Sequence, residues 1–459
     1  MRGRRSIFVS AALFCLVAGL EAAPAETLRE ALAYAYTTNP QLLAQRALLR
    51  ATDESVPQAL ANWRPTVTFT GQLGYEVNVF QPSGSPSSAA RLRPESAQLE
   101  LNQPIYRGGR SQAQLHAALD TVEATRAQTF AVETSVFQEV VTAYLDVVRD
   151  QTLVEVDRNN EEVLREQLRA TRERFRVGEV TATDVAQAES SLAQATATRI
   201  SAQGTLASDR AAYTHAVGRP PGRLLMPRVR PTLPASREDA LRLAALDNPS
   251  VIAAHFAELA ARQDVALVRG QLLPQISIVG TLQRVFDQSA LFKDVWQNAL
   301  TVSAQMTMPL YEGGAIYSQT RQAEQTVGQK RSLLDDTRRA AVQSATQSWE
   351  TLTAARASIA SFQAAVQAAQ IALNGTEQEA LVGTRTVLDV LIAAQQLLTV
   401  RSQLVGAEHD AALAEFNLSA AIGRLLAPDL KLPVKLYDFD RHYNEVKNKW
   451  FGFKGGLKE

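Results

Sequence analysis

Residues 104–109 read Pro-Ile-Tyr-Arg-Gly-Gly, and residues 309–314 read Pro-Leu-Tyr-Glu-Gly-Gly. The second stretch lies 205 positions after the first. A motif that returns at a long, fixed offset indicates an internal repeat. The Gly pair that ends each copy permits a sharp turn, because glycine readily adopts positive φ. These two stretches predict a structural unit that the chain uses twice.

Further matched residues extend the repeat in both directions. Asn39-Pro40 returns as Asn248-Pro249, and Pro65 as Pro274, both at an offset of 209. The pairs at an offset of 205 include Gly178 with Gly383, Asp184 with Asp389, and Gly218-Arg219 with Gly423-Arg424. We therefore expect a first repeat over residues 26–219, a proline-rich linker over 220–235, a second repeat over 236–424, and a C-terminal segment over 425–459.

The N-terminal residues 1–25 are expected to be a signal peptide. Three arginines within the first five residues precede an apolar run over 7–20, which is too short for a spanning helix. Ala23-Pro24-Ala25 fits a small-residue cleavage site. The sole cysteine, Cys15, lies inside the apolar run, so the mature chain is expected to contain no disulfide. A buried N-terminal helix is the alternative.

Long helices are predicted for each repeat. Residues 110–175 contain neither Gly nor Pro, which favours one unbroken helix of about 100 Å. Residues 315–380 repeat this pattern with only Gly328 and Gly375 as exceptions. Shorter helices are expected over 27–62 and 236–271 before the strands, and over 183–217 and 387–422 on the return. Two short helices stacked end to end match one long helix, so the chain is predicted to form four staves of a cylinder. An ordinary helical bundle is the alternative.

The strands of each repeat are predicted from strict alternation. Val67, Phe69 and Leu73 alternate with threonine and glutamine, and Val302 lies in a similar stretch. The expected strand pairs are 65–80 with 95–104, and 274–286 with 298–308. Alternation alone fits any half-buried sheet, but an apolar-out, polar-in barrel explains both faces. Four strands cannot close a barrel, and eight leave an interior filled by side chains, so twelve strands from three chains are expected to form the pore.

The doubled Pro-x-Tyr-x-Gly-Gly, together with Gly-x-x-x-x-x-Asp-Val at 178–185 and 383–390, resembles the TolC family of outer-membrane efflux and secretion proteins over residues 27–424. The tail over 437–453 is similar to that of secretion-type members from alphaproteobacteria. The resemblance implies an α+β fold, with a β-barrel in the outer membrane joined to a long α-helical coiled-coil tunnel in the periplasm.

The same resemblance implies partners and cargo. It implies a homotrimer that contacts outer-membrane lipids and works with a periplasmic adaptor and an inner-membrane ABC or RND transporter. Proteins or small molecules such as drugs would be exported, with energy supplied by the transporter. The linker and C-terminal segment would form a belt around the middle of the tunnel.

A gate at the tunnel tip is also implied by the resemblance. The implied gate residues are Asp184, Thr183, Arg385, Gln167 and Glu377, and Asp389 would line the aperture. Ala380 and Ile392 depart from the family pattern, where a tyrosine and a second aspartate stand. Capping of helix N-termini is the alternative role for Asp184 and Asp389. The expected turns and strand–helix junctions are Pro65, Pro104, Gly108, Gly109, Pro274, Pro309, Gly313 and Gly314.

The composition argues against other classes of protein. Lys+Arg and Asp+Glu both number 47, so the zero net charge disfavours nucleic acid as a partner. The five histidines show no metal-ligand spacing, and no phosphate-binding Gly loop follows a strand. We expect no enzymatic activity, cofactor or metal. A periplasmic adaptor and a coiled-coil scaffold of the cell envelope remain alternatives.

Overall fold

The computed structural model describes residues 26–80, 83–84, 88–227, 229–287 and 294–453. The signal peptide predicted for residues 1–25 lies outside them. The helices are α1 (Leu28–Thr38), α2 (Pro40–Asp53), α3 (Ser55–Leu60), α4 (Arg110–Arg176), α5 (Ala182–Val217), α6 (Arg237–Asp247), α7 (Pro249–Arg269), α8 (Ala315–Leu381), α9 (Val387–Ala421) and α10 (Phe439–Val446). The strands are β1 (Thr66–Leu73), β2 (Glu76–Phe80), β3 (Ser88–Leu92), β4 (Glu95–Arg107), β5 (Gln275–Phe286) and β6 (Trp296–Thr307).

The helices pack side by side in one layer. Helices α4 and α8 run unbroken for 67 residues each, which corresponds to about 100 Å. Contacts place α2 and α5 along one side of α4, and α7 and α9 along its other side. Helix α8 packs against α7 and α9. The order is therefore α2, α4, α7, α8 in the half nearest the sheet and α5, α4, α9, α8 in the other half. Within the described residues, every helix is too short or too polar to cross a membrane.

The helices predicted over 27–62 and 236–271 are each interrupted, so that expectation was wrong in detail. Asn39 has an extended backbone with ψ 124°, because the residue before a proline disfavours the helical region. Its side chain caps α2, and its amide donates to the Ala216 carbonyl. Asn248 caps α7 and donates to Ala421 in the same way. Each Asn-Pro break thus ties the start of one helix to the end of a returning helix, α2 to α5 in the first repeat and α7 to α9 in the second.

The main core lies at mid-height of α4, between α1, α5, the linker and the C-terminal segment. Phe137, Tyr144 and Tyr213 are fully buried there. The Tyr144 hydroxyl donates to the Leu225 carbonyl at 2.7 Å, so the linker is held against the long helix. Leu425 of the C-terminal segment belongs to the same cluster.

A four-stranded antiparallel sheet has the order β1-β4-β5-β6, and β2 and β3 form a separate pair. The strand expected over 65–80 is interrupted after Leu73, where the Gly74 N–H donates to the Pro94 carbonyl and Pro94 has no N–H to return. Pro104 lies inside β4 rather than at its end, at an irregularity in pairing between Pro104 and Tyr106. A bulge at this point accommodates the missing N–H.

The strand–helix junctions depend on glycine. Gly108 has φ +65°, and a Cβ there would lie 2.2 Å from the Gly270 carbonyl oxygen. Any larger residue would push α7 away from the turn. Gly109 and Gly314 have positive φ and begin α4 and α8, respectively. Pro65 and Pro274 directly precede β1 and β5.

Candidate functional site: sheet faces and helix tips

The four-stranded sheet has one apolar and one polar face. Its register aligns apolar residues with apolar residues, and polar residues with polar residues, across all four strands. The apolar rows are Val67, Leu101, Gly280 and Val302, and Phe69, Leu99, Leu282 and Leu300. The polar row between them is Thr68, Glu100, Thr281 and Thr301. Phe69 and Val302 are 70% and 71% exposed in the single chain. This pattern fits a wall with lipid on one side and water on the other.

The sheet has two open edges. Within the described residues, β1 pairs on one side with β4, and β6 pairs on one side with β5. Because every pairing is antiparallel, β1 and β6 run in opposite directions. The β6 strand of one copy can therefore pair with β1 of the next copy and keep the antiparallel pattern. Such head-to-tail contacts close into a ring when the rotation fits.

Aromatic residues mark both ends of the sheet. At the hairpin end, the rings of Phe286 and Trp296 lie 4.6 Å apart, and the Arg284 guanidinium lies 4.2 Å from the Trp296 ring. At the helix end, Trp63 and Tyr106 are exposed. A strand of 12 residues such as β6 spans about 30 Å when tilted by about 45°. The aromatic residues are thus separated by about one bilayer core, as in the girdles of membrane barrels.

The first helix tip, between α4 and α5, is closed by a capping box. The Asp184 carboxylate accepts hydrogen bonds from the Thr181 backbone N–H and hydroxyl, both at 2.8 Å. The Asp184 N–H donates back to the Thr181 hydroxyl oxygen. The backbone hydrogen bond from Thr181, reinforced by the hydroxyl, lowers the pKa of Asp184. The capping role weighed for Asp184 is therefore present in the structure.

The second tip, between α8 and α9, repeats the capping box. Asp389 accepts from the Thr386 N–H at 2.9 Å and from its hydroxyl at 2.8 Å, and these bonds lower the pKa of Asp389. Beside it, Arg385 Nε donates to Glu379 at 2.8 Å. The hydrogen bond to Glu379 raises the pKa of Arg385 above its ordinary value. Asp389 thus keeps its charge at neutral pH, next to an ion pair.

The two tips carry ion pairs of opposite polarity. In the first tip, helix residue Arg174 donates to Glu179 of the turn at 3.1 Å. In the second tip, the helix contributes the acid, Glu379, and the turn contributes Arg385. Position 379 lies 205 after position 174, so the helix partner changes sign between the repeats, whereas Glu179 corresponds to Thr384 and Arg385 to Val180. Arg174, Glu179 and Glu379 were not among the predicted residues, although the change from Arg174 to Glu379 at the repeat offset was available as a signal.

The predicted gate residues do not all meet within one chain. The Asp184 carboxylate binds Thr181, and the Arg385 guanidinium binds Glu379, so the two gate residues have separate partners here. Thr183 and Glu377 are exposed at the tips, and Gln167 is half-buried on α4. Ile392 lines a cavity between α5 and α9, together with Leu388 and Gln187. No grouping of acidic, histidine or cysteine side chains in the described part of the chain is suited to hold a metal ion.

Comparison with known proteins identifies relatives over nearly the whole chain. The model of the outer membrane efflux protein family matches residues 32–219 and 240–424, which are the two repeats. The outer membrane efflux protein BepC of Brucella suis is 34% identical, covering 95% of this chain and 93% of that protein. The outer membrane protein TolC of Vibrio cholerae is 28% identical, covering 92% and 96%. The match to both repeats sets aside an adaptor or a scaffold.

A solved structure has the same fold. The CmeC outer membrane channel of Campylobacter jejuni superposes with a TM-score of 0.79 at 16% identity, covering 92% of this chain and 89% of that one. The predicted TolC-like fold, a barrel-forming sheet joined to a helical tunnel through two repeats, is confirmed. The expected location in the outer membrane, with the helices in the periplasm, is also confirmed. This chain belongs to the outer membrane efflux protein family and serves as an outer-membrane export channel.

Proposed function

We propose that three copies of this chain form one continuous duct from the periplasm to the outside. The observation that carries the proposal is that the sheet and the helical layer end at the same two edges. Strand β1 follows α2 and α3 at one edge, and α8 follows β6 at the other edge. One neighbouring copy can therefore satisfy the open edge of the sheet and the open side of α8 together.

The number of copies follows from the number of strands. Two copies supply eight strands, and a barrel of that size is filled by its own side chains. Three copies supply twelve strands and leave room for water inside. The polar row of Thr68, Glu100, Thr281 and Thr301 then lines the pore. The apolar rows face lipid.

In this proposal the duct itself performs no chemistry. A wall of threonine and glutamine selects little by chemical type, so the cargo is chosen elsewhere. A periplasmic adaptor and an inner-membrane transporter, of the ABC or RND type, deliver proteins or small molecules to the tip and supply the energy. Support comes from the family description, which is that of efflux proteins.

We further propose that the tips act as a gate in which Arg385 exchanges partners. In the single chain its guanidinium is half exposed and binds Glu379. In a closed trimer it would bind Asp184 of the neighbouring coil, near Thr183, with Gln167 and Glu377 forming a second link. A two-state opening requires two arrangements that are close in free energy, and two alternative partners for Arg385 would provide them. Asp389, already ionised by its capping bonds, would give the aperture a negative ring.

Native mass spectrometry and conductance measurements together test whether three copies form one duct. We expect native mass spectrometry of detergent-purified protein to give a trimer, and planar bilayers to show one conducting unit per trimer. A stable monomer or dimer that conducts would contradict the proposal. Purification from cells should also recover an adaptor and a transporter, whereas deletion of the tip turn 177–183 should lose both while leaving the trimer intact.

A further inference from the structure

The C-terminal tail follows the long helices from mid-height toward the sheet. The rings of Phe439 and Phe130 lie 4.8 Å apart, and Arg126 of α4 donates to Asp440 at 2.8 Å. Further along, His442 lies 3.1 Å from the buried carboxylate of Asp53 in α2. These contacts hold α10 against the helical layer and direct the following residues toward the sheet.

The tail ends beside the first strand of the sheet. Arg64 Nη1 donates to the Lys449 carbonyl at 3.0 Å, and the Arg64 guanidinium lies 4.7 Å from the centre of the Trp450 ring. Arg64 stands two residues before Thr66, where β1 begins. Trp450 therefore lies at the level where the helical layer gives way to the membrane sheet.

The tail lies on the outer side of the helical layer. Arg126 and Phe130 of α4 contact the tail. Ala124 and Gln128 are each two residues from Arg126, or about 160° around the helix from it. Both line a cavity bounded by α2, α4, α7 and α8, so this cavity and the tail lie on opposite sides of the helical layer. A tail on the inner side would occupy the duct, so we place the tail on the outer side.

The last described residues form an exposed aromatic group. Trp450 is 59% exposed, Phe451 is 88% exposed and Phe453 is fully exposed. Lys447 and Lys449 precede them, and the sequence continues with Lys454 and Lys458 beyond the described residues. Trp and Phe beside lysine are typical of segments that lie in a membrane interface, where aromatic rings reach the acyl boundary and lysine meets headgroups.

We propose that residues 449–453 insert into the periplasmic leaflet of the outer membrane as an interfacial anchor. The occupant of this aromatic surface is the phospholipid leaflet, since Trp450 lies beside Arg64 at the periplasmic end of β1 and the exposed rings stand next to lysine side chains. Trp450 and the two phenylalanines enter the acyl boundary, and Lys447 and Lys449 bind phosphate groups. The three tails of a trimer would form a collar around the barrel. The inference rests on the location of the sheet in the outer membrane.

Quenching by brominated lipid tests the anchor in the intact protein. Full-length variants that each keep one tryptophan are placed in nanodiscs of phosphatidylethanolamine and phosphatidylglycerol with brominated acyl chains. The variant that keeps Trp450 carries Trp63→Phe, Trp296→Phe and Trp349→Phe. Matched variants keep Trp296, which lies in the sheet, or Trp349, which lies in α8 of the tunnel. We expect Trp450 and Trp296 to lose most of their emission and Trp349 to keep its emission.

The outcomes separate the anchor from the assignment of the sheet. If Trp296 is quenched while Trp450 behaves like Trp349, the tail packs on protein or stands in water, and the anchor is refuted. If neither Trp296 nor Trp450 is quenched, the sheet does not lie in the bilayer and both assignments are overturned. Adding Phe451→Ser and Phe453→Ser to the Trp450 variant should reduce its quenching. Unchanged quenching would contradict a role for the phenylalanine rings.

Discussion

Helices α4 and α8 occupy equivalent positions in the two repeats and have the same length, yet they differ in burial. In α4, 23 of 67 residues are buried, whereas in α8 the number is 7. Helix α4 has neighbours along both of its sides, while α8 contacts α6, α7 and α9 of its own chain. The difference shows that α4 lies in the interior of the protomer, whereas α8 forms one of its edges.

The exposed side of α8 carries an apolar side chain. Ile371 is 73% exposed, and it lies on the opposite side of α8 from Val366 and Leu373, which pack against α9. Strand β6, which leads into α8, is likewise exposed along its whole length. An apolar residue at such a position favours a protein neighbour. The contrast between α4 and α8 therefore predicts which substitutions unfold the chain and which separate the subunits.

The largest effect is expected for Phe137→Ala in α4. Phe137 is fully buried in the main core, so its truncation should lower the free energy of unfolding by about 3–5 kcal/mol. Ile371→Ala in α8 should change unfolding of the dissociated protomer by less than about 0.5 kcal/mol, but should raise the concentration at which trimers dissociate. Urea unfolding and native mass spectrometry measure the two quantities. Equal destabilisation of the protomer by both variants would remove the distinction between interior and edge.

The next effect concerns two adjacent positions on edge strand β6. Val302→Lys places a cation on the apolar face and should oppose membrane insertion by about 2–4 kcal/mol. Thr301→Lys, the matched control, places the same charge on the polar face and should be tolerated. Phe69→Lys and Thr68→Lys repeat the comparison on β1. The amount of heat-resistant trimer in outer membranes is the readout, and similar losses at both faces would reverse or abolish the assignment.

A pH dependence is expected from the core of the first repeat. Burial raises the pKa of Glu133 to about 7 from an ordinary value of 4.5, although the Ala427 N–H donates to it at 2.7 Å. The folded protein keeps this proton up to about pH 7, while the unfolded chain releases it near pH 4.5. The free energy of unfolding should therefore fall by about 3 kcal/mol as the pH rises through this window.

Glu133→Gln provides the control for this pH dependence. The glutamine side chain can still accept from the Ala427 N–H, but it does not titrate. Urea midpoints at pH 5 and pH 8 should differ in the parent, and this difference should be smaller in the variant. A parent protein with the same midpoint at both values would show that Glu133 is ionised throughout.

The smallest effect in free energy is expected at the tips, where the repeats differ by charge reversal. Arg385→Ser should raise single-channel conductance in planar bilayers, because it removes the cation proposed to close the gate. Arg174→Ser, which breaks the ion pair between Arg174 and Glu179 in the first tip, should conduct like the parent. High salt should open the parent partially, since it screens exposed charges. If Arg385→Ser conducts like the parent at every salt concentration, the closing contact lies elsewhere, with Gln167 and Glu377 as the next pair to test.

Asp389→Ala addresses the aperture rather than the closing contact. Because its capping bonds keep Asp389 ionised, the residue contributes negative charge near the opening. The variant should be blocked less by divalent cations, while its conductance without them stays close to that of the parent. Unchanged block would indicate that Asp389 serves as a helix cap alone.

Much of the fold could be predicted from the sequence because its determinants are local. The absence of Gly and Pro over 110–175 predicted α4, and alternation around Val302 predicted the faces of β6. The break at Asn39 was missed although the Asn-Pro pair had been recognised as a repeat marker, because its effect on backbone conformation was not applied. The Arg385–Glu379 pair depends on how the turn folds back, and six residues of separation give no periodic signal. The place of Trp450 beside Arg64 depends on the path of the entire tail.

Cysteine cross-linking between the two edge strands tests most directly whether three copies close one barrel. The sequence has no cysteine after Cys15, so introduced cysteines report without background. Thr68→Cys on the polar face of β1 is combined in turn with Ala299→Cys, Thr301→Cys or Ser303→Cys on the same face of β6. We predict that one combination gives a covalent trimer after oxidation, in SDS with enough urea to separate subunits that are not cross-linked, while Thr68→Cys alone is monomeric under the same conditions. Covalent dimers alone, or no cross-link in any combination, would contradict a three-chain barrel closed by β1 and β6.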